Sequence, residues 1–214
     1  VFEAILPNSL VDDLRRACDA ARALAGAAYT PPGEGPLNLL VFGGSQGASA
    51  LTRLLPEAIA GLPADLRARL RLTQQAREGE AEALSAAYAA QGVPAEVAPF
   101  FADMPQRIAE AQLVVCRAGA STVAELTAIG RPSILIPYPH AMDDHQTANA
   151  RYLADRGAAV LMPQKELDAE QLANTLTTYM NNPEQLQQMA QRAREQATPN
   201  ATADVVRACL EVAR

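Results

Sequence analysis

The sequence contains no tryptophan, and aromatic residues make up only 4% of it although hydrophobic residues make up 49%. Single-stranded nucleic acids are gripped by aromatic side chains on which bases stack, so the composition points away from that mode and toward close, alanine-mediated helix packing. A basic excess is lacking too. Lys and Arg number 18 against 24 Asp and Glu, for a formal net charge of -6 and a pI near 5.0. That balance excludes a broad basic face, and nucleic acid is not an expected partner. Cysteine is scarce: Cys18, Cys116 and Cys209 are odd in number and irregularly spaced, which suits neither a disulfide framework nor a zinc cluster. They are expected to be buried or idle thiols in a reducing cytoplasm. No apolar run approaches the roughly 20 residues of a membrane-spanning helix, and the start lacks the basic-then-apolar order of a signal peptide. The expectation is a soluble, cytoplasmic chain.

Short apolar, β-branched runs instead alternate with longer stretches of helical period, the pattern of a parallel sheet flanked by helices. Strands are expected at 37–42, 70–74, 96–98, 113–116, 133–136 and 159–161, with helices at 50–61, 80–91, 105–111, 122–129 and 144–155. Gly92, Gly130 and Gly157 fall just past three of these helices, where a left-handed cap favours glycine. Beyond 161 the pattern is helical only, at 168–180, 184–196 and 201–213, punctuated by Asn182-Pro183 and Thr198-Pro199. An alanine-rich helix at 10–28 and a proline- and glycine-rich linker at 30–36 precede the first strand. The fold class expected is α/β, a Rossmann-like parallel sheet with a helical C-terminus, divided into an appendage at 1–36 and a main domain at 37–214.

Three polar turns each follow an expected strand and precede an expected helix. The first is Gly43-Gly44-Ser45-Gln46-Gly47-Ala48. Its glycines let the backbone approach an anion, and a helix start supplies N–H groups and a favourable dipole. A tight turn with no ligand explains the same glycines, and the spacing matches neither the dinucleotide fingerprint nor the lysine-bearing P-loop. The second is Arg117-Ala118-Gly119-Ala120-Ser121-Thr122-Val123-Ala124-Glu125. Here Ser121 or Thr122 is a possible helix cap, with Glu125 in the first turn as part of a capping box. The alternative has the helix start hold phosphate while Glu125 accepts from a ribose diol. The third, 137–150, contains both histidines, His140 and His145, with Asp143, Asp144, Gln146 and Asn149. No second ligand cluster accompanies them, so no metal site is expected. Gln146 and Asn149 share a helix face and are suited to sugar hydroxyls; a solvated helix start, with the two aspartates as dipole partners, is the plain alternative. A parallel sheet brings all three turns to the carboxyl ends of its strands, where open α/β sheets bind ligands.

GGSQGA at 43–48, CRAGASTVAEL at 116–126 and PYPHAMDDHQTANA at 137–150 resemble, in this order, the donor-domain motifs of MurG-type N-acetylglucosaminyltransferases. The resemblance covers roughly residues 37–214 and implies the C-terminal half of a glycosyltransferase B fold that binds UDP-N-acetylglucosamine. By that similarity Gly44, Ser45 and Gln46 lie by the diphosphate, and Ala120, Ser121 and Thr122 hold phosphate or sugar. Glu125 takes the ribose hydroxyls, and Phe101 falls where the family sets a residue against the uracil. Gln146 and Asn149 contact the N-acetylglucosamine, with His145 at a position often filled by a polar side chain.

The resemblance further implies an inverting transfer, without cofactor or metal, to a lipid-linked muramyl-pentapeptide at the inner face of the cell membrane. In the family an N-terminal half binds that acceptor and is thought to supply the base. Nothing in these 214 residues resembles that half, and Pro7-Asn8-Ser9 only faintly echoes the family's linker. The chain alone is therefore expected to bind donor without transferring sugar. Two other readings stay open: the donor subunit of a two-chain transferase acting on dolichyl-linked sugar, and a non-catalytic nucleotide-binding domain.

Overall fold

The computed structural model describes residues 23–25, 27–43, 49–200 and 211. Most of the expected helix at 10–28, the turn residues Gly44, Ser45 and Gln46, and the expected helix at 201–213 lie outside the described residues. Six strands form one parallel sheet: β1 Leu37–Phe42, β2 Leu70–Gln75, β3 Ala95–Ala98, β4 Leu113–Cys116, β5 Ser133–Leu135 and β6 Ala159–Leu161. Their order is β3-β2-β1-β4-β5-β6. The helices are α1 Ser49–Ala60, α2 Ala64–Arg69, α3 Ala81–Ala90, α4 Met104–Glu110, α5 Ala120–Ile129, α6 His145–Ala154, α7 Ala169–Met180 and α8 Pro183–Glu195.

The strands read as near-continuous apolar runs because helices cover both faces of a parallel sheet. Leu39 and Val41 of β1 turn one way, onto Leu55 and Ile59 of α1, Tyr88 of α3 and Leu176 of α7. Leu40 and Phe42 turn the other way, toward Ile108 of α4, Leu126 of α5 and Leu153 of α6. From β1 the chain works outward through β2 and β3, then returns to lay β4 on the opposite side of β1. β1 and β4 are therefore neighbours whose following helices pack on opposite faces of the sheet, the arrangement in which open α/β sheets bind ligands at the carboxyl ends of their strands.

Every expected strand, and every expected helix between 50 and 196, is present with ends shifted by at most two residues. Gly92, Gly130 and Gly157 take the left-handed conformation, with φ of 72°, 73° and 65°. The six-residue α2 was not expected. It starts after Pro63 and buries only Leu66, too little apolar period to separate it from the strand it runs into.

The segment before β1 is bound to the sheet's underside. Tyr29 Oη donates to the Gln112 carbonyl at 2.9 Å. The buried Arg131 donates to the carbonyls of Ala27, Ala28, Ala109, Ile129 and Gly130, and its guanidinium stands 5.5 Å from the Tyr29 ring centroid. Arg194 of α8 adds a bond to the Ala27 carbonyl at 2.5 Å.

Candidate functional site

The rim of the sheet is assembled from the turns that follow β4 and β5 and the first turn of α6. The helix α5 starts at Ala120, two residues before the expected start, with Gly119 (φ -63°, ψ 150°) as its cap residue and no side-chain cap bond. This overturns the capping reading of Ser121 and Thr122. Both lie inside the first turn, and Glu125 falls in the second, beyond reach of a capping box. The first helical N–H drawn back into the helix is that of Val123, bonded to the Gly119 carbonyl at 3.0 Å. The amides of Ala120, Ser121 and Thr122 accordingly have no intrahelical partner, and such a helix start favours an anion.

Glu125 is half-buried, and no described residue donates a hydrogen bond to its carboxylate. Burial raises its pKa above the ordinary carboxylate value. Complete burial, with a smaller contribution from the Glu125 charge, pushes up the thiol of Cys116, so that cysteine is an inert core residue.

Gln146 and Asn149, on one face of α6, are turned toward the β4 turn. Gln146 Oε1 accepts from the Ala118 N–H at 3.3 Å and from the Tyr138 N–H at 3.0 Å. Asn149 Nδ2 donates to the Ala118 carbonyl at 3.0 Å. His145 is exposed, with Nδ1 2.8 Å from the Met142 carbonyl. Ahead of it Asp143 and Asp144 both take φ of 51°, a left-handed pair that short polar side chains tolerate better than most. Asp144 accepts from Thr147 Oγ1 at 2.6 Å, so it closes the turn with its side chain but does not cap the helix.

Arg117 was not singled out by its sequence. It is 7% exposed and donates to the carbonyls of Ile136 and Pro137, both at 3.0 Å, and to Gln164 Oε1 at 2.6 Å. Burial lowers its pKa, and no carboxylate is among its partners. The guanidinium ties the turns after β4, β5 and β6 together and leaves positive charge behind the rim. The only sequence signal is its place directly after the apolar run of β4.

The β3 side supplies two neighbouring aromatics with different fates. Phe101 is 6% exposed, with the Arg107 guanidinium 4.1 Å from its ring centroid, whereas Phe100 is 73% exposed. Phe101 is thus packed away, leaving the Phe100 ring as the accessible aromatic of the pair. A separate concavity of about 500 Å³ lies over the β1 to β3 side of the sheet. Its charges are already engaged: Arg107 is bound to Glu96 and Asp103, and Arg71 to the Leu70 carbonyl. The rim is therefore the candidate site. Among the described residues no three His, Cys, Asp or Glu side chains gather in a metal-binding group, and no helix is long and apolar enough to cross a membrane.

Residues 38–205 match the glycosyltransferase family 28 C-terminal domain. The UDP-N-acetylglucosamine--N-acetylmuramyl-(pentapeptide) pyrophosphoryl-undecaprenol N-acetylglucosamine transferase of Azoarcus sp. (strain BH72) is 52% identical over 195 residues, covering 91% of this chain and 54% of the relative. The enzyme of the same name from Stutzerimonas stutzeri (strain A1501) is 55% identical over 175 residues, covering 82% and 49%. The chain spans about half the length of the curated relatives it matches. Among solved structures, Acinetobacter baumannii MurG superimposes with a TM-score of 0.76 at 41% identity, over 85% of this chain and 55% of that one. WaaG, a glycosyltransferase involved in lipopolysaccharide biosynthesis, shares the fold with a TM-score of 0.60 at 22% identity, over 88% and 50%.

Proposed function

The chain belongs to the glycosyltransferase family 28 C-terminal domain family, and from that premise we propose that residues 37–214 are the UDP-N-acetylglucosamine-binding half of an inverting N-acetylglucosaminyltransferase. Its acceptor is the lipid-linked muramyl-pentapeptide named in its relatives, met at the inner face of the cell membrane. The observation that carries the reading is the uncapped start of α5 beside the half-buried carboxylate of Glu125. An anion acceptor site and a hydroxyl reader stand side by side, as a nucleoside diphosphate requires.

In this reading the acceptor hydroxyl oxygen forms a bond to the anomeric carbon from one face while the bond from that carbon to the phosphate oxygen breaks. UDP leaves with the electron pair, and the hydroxyl proton passes to a base contributed by the acceptor half. The chain's own task is to stabilise the departing diphosphate. The amides of Ala120, Ser121 and Thr122 act where negative charge grows, and Arg117, hydrogen-bonded to neutral groups only, holds the turn ahead of them against those after β5 and β6. By the resemblance at 43–48, Ser45 and Gln46, with the Gly44 backbone, are assigned to the diphosphate as well. Glu125 accepts from the ribose hydroxyls, the main chain at Phe101 reads the uracil edge, and Gln146, Asn149 and His145 line the sugar.

Calorimetric titration of the 214-residue chain tests this. UDP and UDP-N-acetylglucosamine are expected to bind, with ADP at least about tenfold weaker, a difference of about 1.4 kcal/mol. A transfer assay with radiolabelled donor and lipid-linked acceptor is expected to show turnover only after an acceptor domain is added, because half a cleft cannot hold both substrates together. Equal affinity for UDP and ADP overturns the uridine assignment. Turnover by this chain alone, lost on His145→Ala, overturns the assignment of the base to the other half.

A further inference from the structure

Ala118 is fully buried and lies beyond the last ladder bond of its strand, from the Ile136 N–H to the Cys116 carbonyl at 2.8 Å. Its own N–H and C=O are satisfied by α6 side chains, through Gln146 Oε1 and Asn149 Nδ2. The backbone partners also decide how each amide is turned. An atom that receives the N–H groups of Ala118 and Tyr138 must be the oxygen of Gln146, and an atom facing a carbonyl must be the nitrogen of Asn149. Only Gly119 separates Ala118 from the first residue of α5. A buried N–H and carbonyl stripped of these partners would re-pair elsewhere, because leaving them unsatisfied is costly. The unshared amides of the first turn would move with them.

We propose that Gln146 and Asn149 are positioning residues for the anion site: through Ala118 they set where the α5 amides stand, and so govern affinity for the diphosphate itself, with or without a sugar attached. This rests on the reading of the rim as a UDP-sugar site, and it differs from a sugar contact in one measurable respect. A side chain that only touches the sugar has no effect on UDP.

The test titrates the 214-residue chain and its Gln146→Met and Asn149→Leu variants, neutral and near in volume, with UDP and with UDP-N-acetylglucosamine. Each variant is expected to weaken UDP binding about tenfold, the loss of one hydrogen bond's worth of alignment, and the sugar nucleotide by at least as much. Amide hydrogen exchange without ligand is expected to be slow at Ala118 and Tyr138, and at least about tenfold faster in Gln146→Met. Gln146→Glu, whose carboxylate still accepts both N–H groups, is expected to restore the slow exchange, which separates the bracket from general destabilisation. Unchanged UDP affinity in folded variants, with only the sugar nucleotide weakened, overturns the inference. If the parent chain binds no UDP, the proposed function fails on its own account, and exchange at Ala118 and Tyr138 that ignores Gln146→Met overturns the bracket separately.

Discussion

Glu125→Gln removes one half-buried charge while keeping the side chain's size, so its effects on stability and on nucleotide binding are expected to have opposite signs. No described residue hydrogen-bonds this carboxylate, and burial raises its pKa. A carboxyl group whose folded pKa exceeds its unfolded value, about 4.3 for glutamate, contributes stability fully below the unfolded value and loses it as pH rises through the folded one. At neutral pH the fold therefore bears the whole cost of keeping it ionised, at about 1.4 kcal/mol for each unit of difference, reduced by partial exposure. Glutamine bears none of it. In a domain of this size 1 kcal/mol moves Tm by about 2 to 4 °C, so the variant is expected to melt slightly higher at pH 7. That advantage should vanish below about pH 4, where both side chains are neutral. Binding runs the other way. Hydrogen bonds to a charged acceptor contribute about 1.5 to 3 kcal/mol, and glutamine keeps one neutral carbonyl. UDP should bind about 5- to 30-fold more weakly to Glu125→Gln, which keeps part of the contact, and about 12- to 150-fold more weakly to Glu125→Ala. Because ribose hydroxyls favour the ionised form, affinity in the parent chain should also fall as pH drops through the raised pKa. Thermal melts and calorimetric UDP titrations from pH 4 to 8 check both halves. An unchanged Kd in a folded Glu125→Gln variant refutes the ribose contact, and a lower Tm at pH 7 refutes the account of the buried charge.

The two aromatics at the end of β3 should separate in the same way. Phe101→Ala is expected to lower stability by about 3 kcal/mol in urea denaturation, whereas Phe100→Ala should stay within about 0.5 kcal/mol yet weaken UDP binding by about 0.5 to 1.5 kcal/mol if the ring faces the base. Equal stability losses would contradict the burial difference. Arg131→Met strips five carbonyls of a donor and should cost about 2 to 4 kcal/mol. It should also make residues 27–36 sensitive to limited proteolysis, and a variant as resistant as the parent chain would show that Tyr29, Arg194 and Arg69, which donates to the carbonyls of Gly33 and Gly35, hold the segment without it.

What the sequence reveals about this fold follows from the range of the physics involved. Strand β1, with Leu39 and Val41 on one face and Leu40 and Phe42 on the other, is legible because burial on both faces leaves a continuous apolar run. The start of α7 is legible because its capping box, Asp168 with Gln171, spans three residues. Phe100 and Phe101 were not separable, since which ring packs under Arg107 depends on the direction the chain takes after β3. The capping reading of Ser121 and Thr122 failed for a related reason. The cap at Gly119 is set by partners 28 and 31 residues further along, Gln146 and Asn149 bonded to Ala118, and Arg117 reaches 47 residues to Gln164. Periodicity reports contacts three or four residues apart and is blind to these. The motif resemblance assigned Gln146 and Asn149 to the sugar and named no bond to Ala118, although it took the segments 116–126 and 137–150 together. Physically they are one unit: a chain with Arg117-Ala118-Gly119 in place but without Gln146 and Asn149 would bury an N–H and a carbonyl unpaired at the start of α5, the point from which the proposed site holds its anion.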